Sequence, residues 1–349
     1  MIDAFRAADP SRNRGEKLTA REVMRQASLA LSRRDDLDPA TRSKLLLTLS
    51  QVHASLGSNQ EALELAQQAL AAASDPEQRL EAELSVADAK FNLGEALTAK
   101  DHVAELLERP EASGARWQLR LRQFSLKVES RLNLVNTSPI SKSIYEDALA
   151  MLGPDDPITT SAALAYGTNL INNKEKLQEG AVFVRDLVRR DHSEALSPDR
   201  YNIIRLALIT ERDLGNTDQA LAYSYQLISM AERLYGSEHT TYLTAESALA
   251  STLLKSGQIA EARSVFLSAV ERANRVVGPD SSLLAALAYN ACNAAIQEPY
   301  DVPQALAMSE LAVNVAKRAL PPESRQVGFF WLGRSSSLLL DHQYEASLA

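Results

Sequence analysis

Between Tyr201 and Ser281 one unit is written twice. Asp213-Leu214-Gly215 followed by Asp218-Gln219-Ala220-Leu221 returns as Lys255-Ser256-Gly257 followed by Ile259-Ala260-Glu261-Ala262. The turn Tyr235-Gly236-Ser237-Glu238-His239 returns as Val277-Gly278-Pro279-Asp280-Ser281. Gly215 and Gly257, Ala220 and Ala262, and Gly236 and Gly278 are each 42 residues apart. Three landmarks at one offset define an internal repeat. A repeat of this length buries its apolar face by stacking on its neighbours, so the chain grows as an array rather than around one enlarged core.

Composition agrees. Apolar residues make up 45% of the 349 and aromatics only 5%, with Ala and Leu dominant. Those two are strong helix formers, and small Ala allows close helix packing. The net charge of −8 argues against nucleic acid, which needs a concentrated basic face. Cys292 is the single cysteine, so neither an internal disulfide nor a thiolate metal cluster is expected. Met1-Ile2-Asp3 lacks the basic start and apolar run of a secretory leader. The most apolar stretch, Leu283 to Ile296, is too short to span a bilayer and contains Asn290 and Asn293, so no membrane insertion is expected.

Read in order, residues 1–15 form an irregular lead-in. Thr19 and Glu22 form a capping box that opens a helix from Ala20 to about Leu31. Repeat one follows Asp38-Pro39, with its turn at Gly57. Repeat two follows Asp75-Pro76, turns at Gly94 and ends at Pro110. Repeat three opens with Trp117, Leu121, Phe124 and Val128. Residues 136–139 break the long helix that these start, and the repeat closes at Gly153-Pro154-Asp155-Asp156-Pro157. In repeat four, either Gly180 or Ala181 fits the small position of the second helix. Repeats five and six are the two copies. Repeat seven has a turn enlarged around Pro299 and Pro303, with Ala305 at the small position. An eighth unit begins with Phe329, Leu332, Gly333 and Leu339 and continues to Tyr344-Glu345-Ala346.

The small residues Ser50, Gly57, Ala62 and Ala69 in repeat one, and Ala250, Gly257, Ala262 and Ala269 in repeat six, resemble the tetratricopeptide repeat pattern. Side chains larger than Ser at such crossings hold the paired helices apart. Repeat five departs from the pattern with Leu208 and Leu227. The 42-residue length and the Gly-Pro-Asp-type closing turn resemble the kinesin-light-chain variety. The resemblance implies an all-α, right-handed superhelical solenoid of antiparallel helix pairs, about seven of them, as a single domain over residues 16–349. Phe5-Arg6-Ala7-Ala8-Asp9-Pro10, Gly15 and Leu18-Thr19-Ala20-Arg21-Glu22 resemble the junction that precedes a repeat array in bacterial receptor-type serine/threonine protein kinases. The kinase motifs themselves are absent from this sequence.

Candidate chemistry is sparse. His53, His102, His192, His239 and His342 are scattered over separate repeats without metal-ligand spacing, so no metal or other cofactor is expected. Cys292 occupies a small-residue position and reads as an inert buried thiol. Trp117 and Trp331 sit at helical spacing with apolar neighbours and read as core. No catalytic constellation is found, and the chain reads as a non-enzyme. In the family, the first helix of each pair lines a concave groove. The resemblance therefore implies a peptide-binding groove at Lys44, Asn202, Arg205, Ile209, Arg212, Asn290 and Asn293, where amide and cationic groups suit an extended polypeptide.

These readings give a protein- or peptide-binding scaffold. The alternative is a sensory or regulatory region of a larger bacterial signalling protein, a kinase or transcriptional regulator. The compartment follows the reading: cytoplasmic for a free-standing chain, periplasmic for the exterior portion of a membrane-bound kinase. The apolar face of the last helix (Phe329, Phe330, Leu338, Leu339) needs a neighbour, a following repeat or a second copy to cover it, the last being a route to a homo-oligomer.

Overall fold

The computed structural model describes residues 20–32, 36–55, 58–132, 137–190, 196–320 and 324–341. Among these residues the structure is all-α, with no strand. The lead-in, the Thr19 cap, the Gly57 turn, His192, His342 and the Tyr344-Glu345-Ala346 continuation lie outside the described residues. Contacts divide the chain into two compact units, residues 1–166 and 167–349.

The first unit holds α1 (Ala20–Ser32), then the pairs α2 (Pro39–Ser55) with α3 (Asn59–Ala72), α4 (Pro76–Asn92) with α5 (Ala96–Leu107), and α6 (Ala115–Leu132) with α7 (Thr137–Leu152). The division falls inside α8 (Pro157–Asn172), between Tyr166 and Gly167. The second unit continues with α9 (Leu177–Arg190) and the pairs α10 (Pro198–Leu214) with α11 (Thr217–Tyr235), α12 (Thr240–Lys255) with α13 (Ile259–Val276), and α14 (Ser282–Ala295) with α15 (Val302–Ala319). It ends at α16 (Arg325–Leu340).

The sequence punctuates these helices by a repeated device. A polar residue caps most first helices, often followed by proline at the first helical position, where no N–H is missed. Asp75 accepts from the Gln78 amide at 2.8 Å and Ser197 from Arg200 at 3.1 Å. His239 Nδ1 accepts from Thr241 at 3.1 Å and Ser281 from Leu283 at 3.2 Å. Ser197, His239 and Ser281 stand 42 residues apart, so the repeat extends to the caps. The turn glycines Gly215 and Gly257 both have φ +80°, and the closing glycines Gly236 and Gly278 have φ +83° and +78°, a region that disfavours any Cβ.

The small positions are where helices meet. Ala62, Ala69, Ala220, Ala250, Ala262 and Ala269 are fully buried, and Ser50 Oγ donates to the Ala62 carbonyl at 2.7 Å. Repeat five packs its larger Leu208 and Leu227 into one core with Ala220, Ala231 and Ala245, so neighbouring alanines make the room. In repeat four, Gly180 takes the small position of the second helix: a Cβ there would meet Leu170 Cβ and Ile171 Cγ2 at 3.0 Å.

Three sequence expectations are corrected. The long first helix of repeat three does end before Pro139, at Leu132, but Pro139 itself is not part of the break. It sits in the first turn of α7, where proline costs no helical hydrogen bond. Pro303 likewise lies in the first turn of α15, not in the loop. Trp331 is not core: it is 47% exposed, with Lys317 Nζ 4.8 Å above its ring. On the same helix Phe330 and Leu338 are buried, whereas Phe329, Leu332 and Leu339 are exposed.

The long turn of repeat seven lacks a positive-φ glycine. Arg263, reaching from α13, holds it by donating to the carbonyls of Ala294, Ala295, Gln297 and Pro299. One guanidinium thus satisfies helix-end carbonyls that would otherwise need water.

Candidate functional site

In the second unit, the 42-residue offset aligns the first helices of three successive pairs. Asn202, Arg205, Ile209 and Arg212 recur at three- and four-residue intervals and form one stripe of α10. Their equivalents on α12 are Thr244, Ser247, Ser251 and Leu254, and on α14 Ala286, Tyr289, Asn293 and Ile296. Adjacent stripes are tied together. Lys255 Nζ lies 3.4 Å from Asp213 Oδ1 between α10 and α12, and Asn290 Nδ2 donates to Ser247 Oγ at 3.3 Å between α12 and α14. The structure therefore places Asn202, Arg205, Ile209 and Arg212 on α10, and Asn290 and Asn293 on α14, with α12 between them. Lys44 is exposed on α2, in the first unit.

The polar groups of this surface are only partly matched. Arg205 is exposed and forms no hydrogen bond or ion pair with another described residue. Arg212 Nε is buried without a hydrogen-bond partner, its nearest carboxylate being Asp213 Oδ1 at 3.8 Å. Asn202, Asn290 and Asn293 are half-buried. Sequence reading missed Ser247, Ser251 and Tyr289. The signal that finds them is the offset itself, carried from Arg205 and Ile209.

The corresponding surface of the first unit is built differently. Glu81 and Asp88 on α4 stand at the positions that Asn202 and Ile209 hold on α10, counted back from the turn glycines. Each meets a cation of α6, 39 residues on. Arg120 grips Glu81 with both terminal nitrogens at 2.5 and 2.8 Å, and Lys127 lies 2.7 Å from Asp88. The Arg120 guanidinium covers Trp117 at 4.4 Å, and Lys127 Nζ sits 4.7 Å from the Phe91 ring and 5.5 Å from Phe124. A cleft of about 330 Å³ opens beside this ladder.

Three buried glutamates lie behind these surfaces. Glu83 meets Arg109 at 2.8 Å and His102 at 3.3 Å. Glu211 receives two bonds from Arg185 at 2.7 and 2.8 Å and one from Asn216 at 2.6 Å. These bonds, Arg185 foremost, hold its carboxyl below the ordinary range. Glu246 is less well served: Arg272 Nε is 3.3 Å away, yet neither Glu246 Oε2 nor Arg272 Nε completes a hydrogen bond. Burial outweighs Arg272 and raises its pKa. Burial likewise raises the Cys292 thiol, which lies 3.2 Å from Ser337 Oγ. Among the described residues no group of three His, Cys, Asp or Glu is placed to hold a metal ion, and no helix is long and apolar enough to cross a membrane.

Residues 200–275 match the tetratricopeptide repeat family. They span α10 to α13, the two copies of the sequence repeat. A search of curated proteins finds no match. Among solved structures, the fold is similar to the apo form of the quorum sensor NprR from B. thuringiensis, with TM-score 0.59 and 12% identity over 99% of this chain and 94% of that one. It is also similar to a signal transduction ATPase with numerous domains that carries a tetratricopeptide repeat sensor, from Pyrococcus horikoshii. There the TM-score is 0.58 and the identity 11%, over 94% of this chain and 51% of that one. At these identities the likeness is one of fold, and that fold is the helical-repeat solenoid the sequence predicts.

Proposed function

We propose that this tetratricopeptide array is a non-catalytic scaffold that binds an extended polypeptide along α10, α12 and α14. The observation that carries the reading is the partly matched polar stripe: Arg205 without a hydrogen bond or ion pair to another described residue, with the side-chain amides of Asn202, Asn290 and Asn293 on the same run of first helices. An extended chain presents unpaired N–H and C=O groups, and each Asn supplies both donor and acceptor. Arg205 adds a fork suited to a carboxylate. Lys44, on α2 of the first unit, offers a cation of the same kind there.

The test is selection of binding peptides from a randomised display library, followed by calorimetry on the wild type and on a variant carrying Asn202→Ala, Arg205→Ala and Arg212→Ala. A folded variant that loses at least tenfold in affinity supports the reading. Equal affinity for both proteins places recognition elsewhere.

A second reading, a sensory region of a larger signalling protein, is favoured by the two neighbours, one a quorum sensor and the other a signalling ATPase with a repeat sensor. The kinase-type junction at residues 5–22 belongs to this second reading. A kinase or DNA-binding domain encoded in the same reading frame would support it.

A further inference from the structure

The last described helix, α16, buries one face and leaves the other apolar and uncovered. Phe330, Gly333, Ser337 and Leu338 are buried on its inner side. On its outer side Gly328, Leu332, Ser335 and Leu339 follow one another at spacings of four, three and four, with Phe329 and Trp331 along the two edges. Leu332 is 62% exposed and Leu339 45%. This face carries no charge. Between Gln326 and Leu340 the one charged residue is Arg334, which reaches back to the Leu306 carbonyl at 3.0 Å and to Glu310 at 3.5 Å on α15.

Gly328 points the same way. It stands inside the helix, where glycine is less favourable than alanine. The described chain does not require it, because a Cβ at this position would meet nothing within 4 Å.

We propose that α16 pairs antiparallel with α16 of a second copy of this chain. Alternating spacings of three and four make the seam along which two helices wind together. One antiparallel register, centred between Gly333 and Arg334, sets Gly328 against Leu339 of the second copy and Leu332 against its Ser335. A two-fold contact is self-complementary, so each of these pairs occurs twice. Every large side chain of the seam then meets a small residue, and the axes approach to about 8 Å. Each helix N-terminus lies beside the other's C-terminus, as the helix dipoles favour.

Charge and area select a copy as the occupant. The chain carries a net charge of −8, which repels copies in general, but this face brings no charge to the contact. It also offers a foreign partner no ionic handle. Phe329, Trp331, Leu332 and Leu339 together expose about 400 Å² of side chain, the size of a functional surface patch. Two copies with their rim bury on the order of 1,200 Å², the low end for a specific interface, so the dimer is weak and reversible. The proposal is independent of polypeptide binding along α10, α12 and α14.

The experiment is sedimentation equilibrium of the full chain from about 1 to about 200 μM, which brackets the expected Kd on the order of 10 μM. Leu332→Arg sets two cations close to the two-fold axis and weakens the dimer at least tenfold. Gly328→Leu overfills the seam and also weakens it at least tenfold, while the melting temperature of the monomer does not fall. Adding Leu339→Ala to Gly328→Leu exchanges large for small across the seam and returns Kd to within about threefold of wild type. A wild type that stays monomeric at the highest concentration overturns the proposal, and protected α16 amides in that monomer would assign the face to another part of the same chain. A dimer that Leu332→Arg and Gly328→Leu leave unweakened overturns it as well.

Discussion

Repeats five and six share a 42-residue frame and fill it with different chemistry. At one pair of equivalent positions repeat five buries Ile204 and Met230, whereas repeat six buries Glu246 against Arg272. Both backbones keep the same turn glycines at φ +80° and the same alanines, Ala220 and Ala262, at the helix crossing. The frame therefore depends on glycine and alanine at the crossings and turns. The remaining core positions accept either an apolar pair or an ion pair. Repeat two makes the repeat-six choice independently, with Glu83 and Arg109.

The largest effect in this comparison comes from breaking the repeat-six pair on one side. Arg272→Met leaves Glu246 buried without its counter-charge, whereas Glu246→Ala leaves Arg272 with Glu238 at 3.5 Å. Arg272→Met is expected to cost about 2–3 kcal/mol, and Glu246→Ala less, because Arg272 keeps Glu238 and still reaches solvent. Replacing both with the repeat-five residues, Glu246→Ile with Arg272→Met, is expected to recover wild-type stability within about 1 kcal/mol. Urea unfolding of the three variants checks this, and a double variant as unstable as the singles would show that the frame depends on the ion pair.

Next comes the crossing itself. Ala262→Leu forces extra volume into a fully buried site and is expected to cost about 1–3 kcal/mol by the same assay. The neighbouring position, Arg263, stands 42 residues after Leu221. Leu221 packs against the apolar core, whereas Arg263 gathers the carbonyls of the glycine-free turn. Arg263→Leu is thus expected to cost about 1–2 kcal/mol, since it strips hydrogen bonds from partly solvated carbonyls. Faster amide exchange confined to residues 294–301 would localise the loss.

The smallest effect is at the caps. Ser197 and Ser281 do not titrate near neutral pH, but His239 caps α12 through a ring nitrogen that must be unprotonated to accept. Burial lowers the His239 pKa below its usual 6.5. The folded state then binds fewer protons than the unfolded state, so this cap's contribution is complete above about pH 6.5 and is lost as pH falls below it. The ring is largely exposed, so the effect is small. His239→Ser, which imports the flanking cap, should flatten the melting temperature between pH 5 and pH 7 relative to wild type.

The fold was legible because its determinants are local. Asp-Pro and Ser-Pro caps, turn glycines and crossing alanines recur at measurable offsets. The candidate groove residues on α10 and α14 came from the family resemblance, and the offset added only their equivalents on α12 and Tyr289. What stayed hidden depends on distance between helices. Nothing in the Trp331 neighbourhood distinguishes a core tryptophan from one covered by Lys317, and Gly180 could be chosen over Ala181 only from its approach to Leu170. The Glu81–Arg120 and Asp88–Lys127 ladder was written at 39-residue spacing, outside the 42-residue offset that organised the search.

The most direct test of the account is amide hydrogen exchange on the full chain, with and without a display-selected peptide. The account predicts new protection on α10, α12 and α14, strongest around residues 202–212 and 286–296, with α11, α13 and α15 unchanged. Protection that falls instead on those second helices would contradict it.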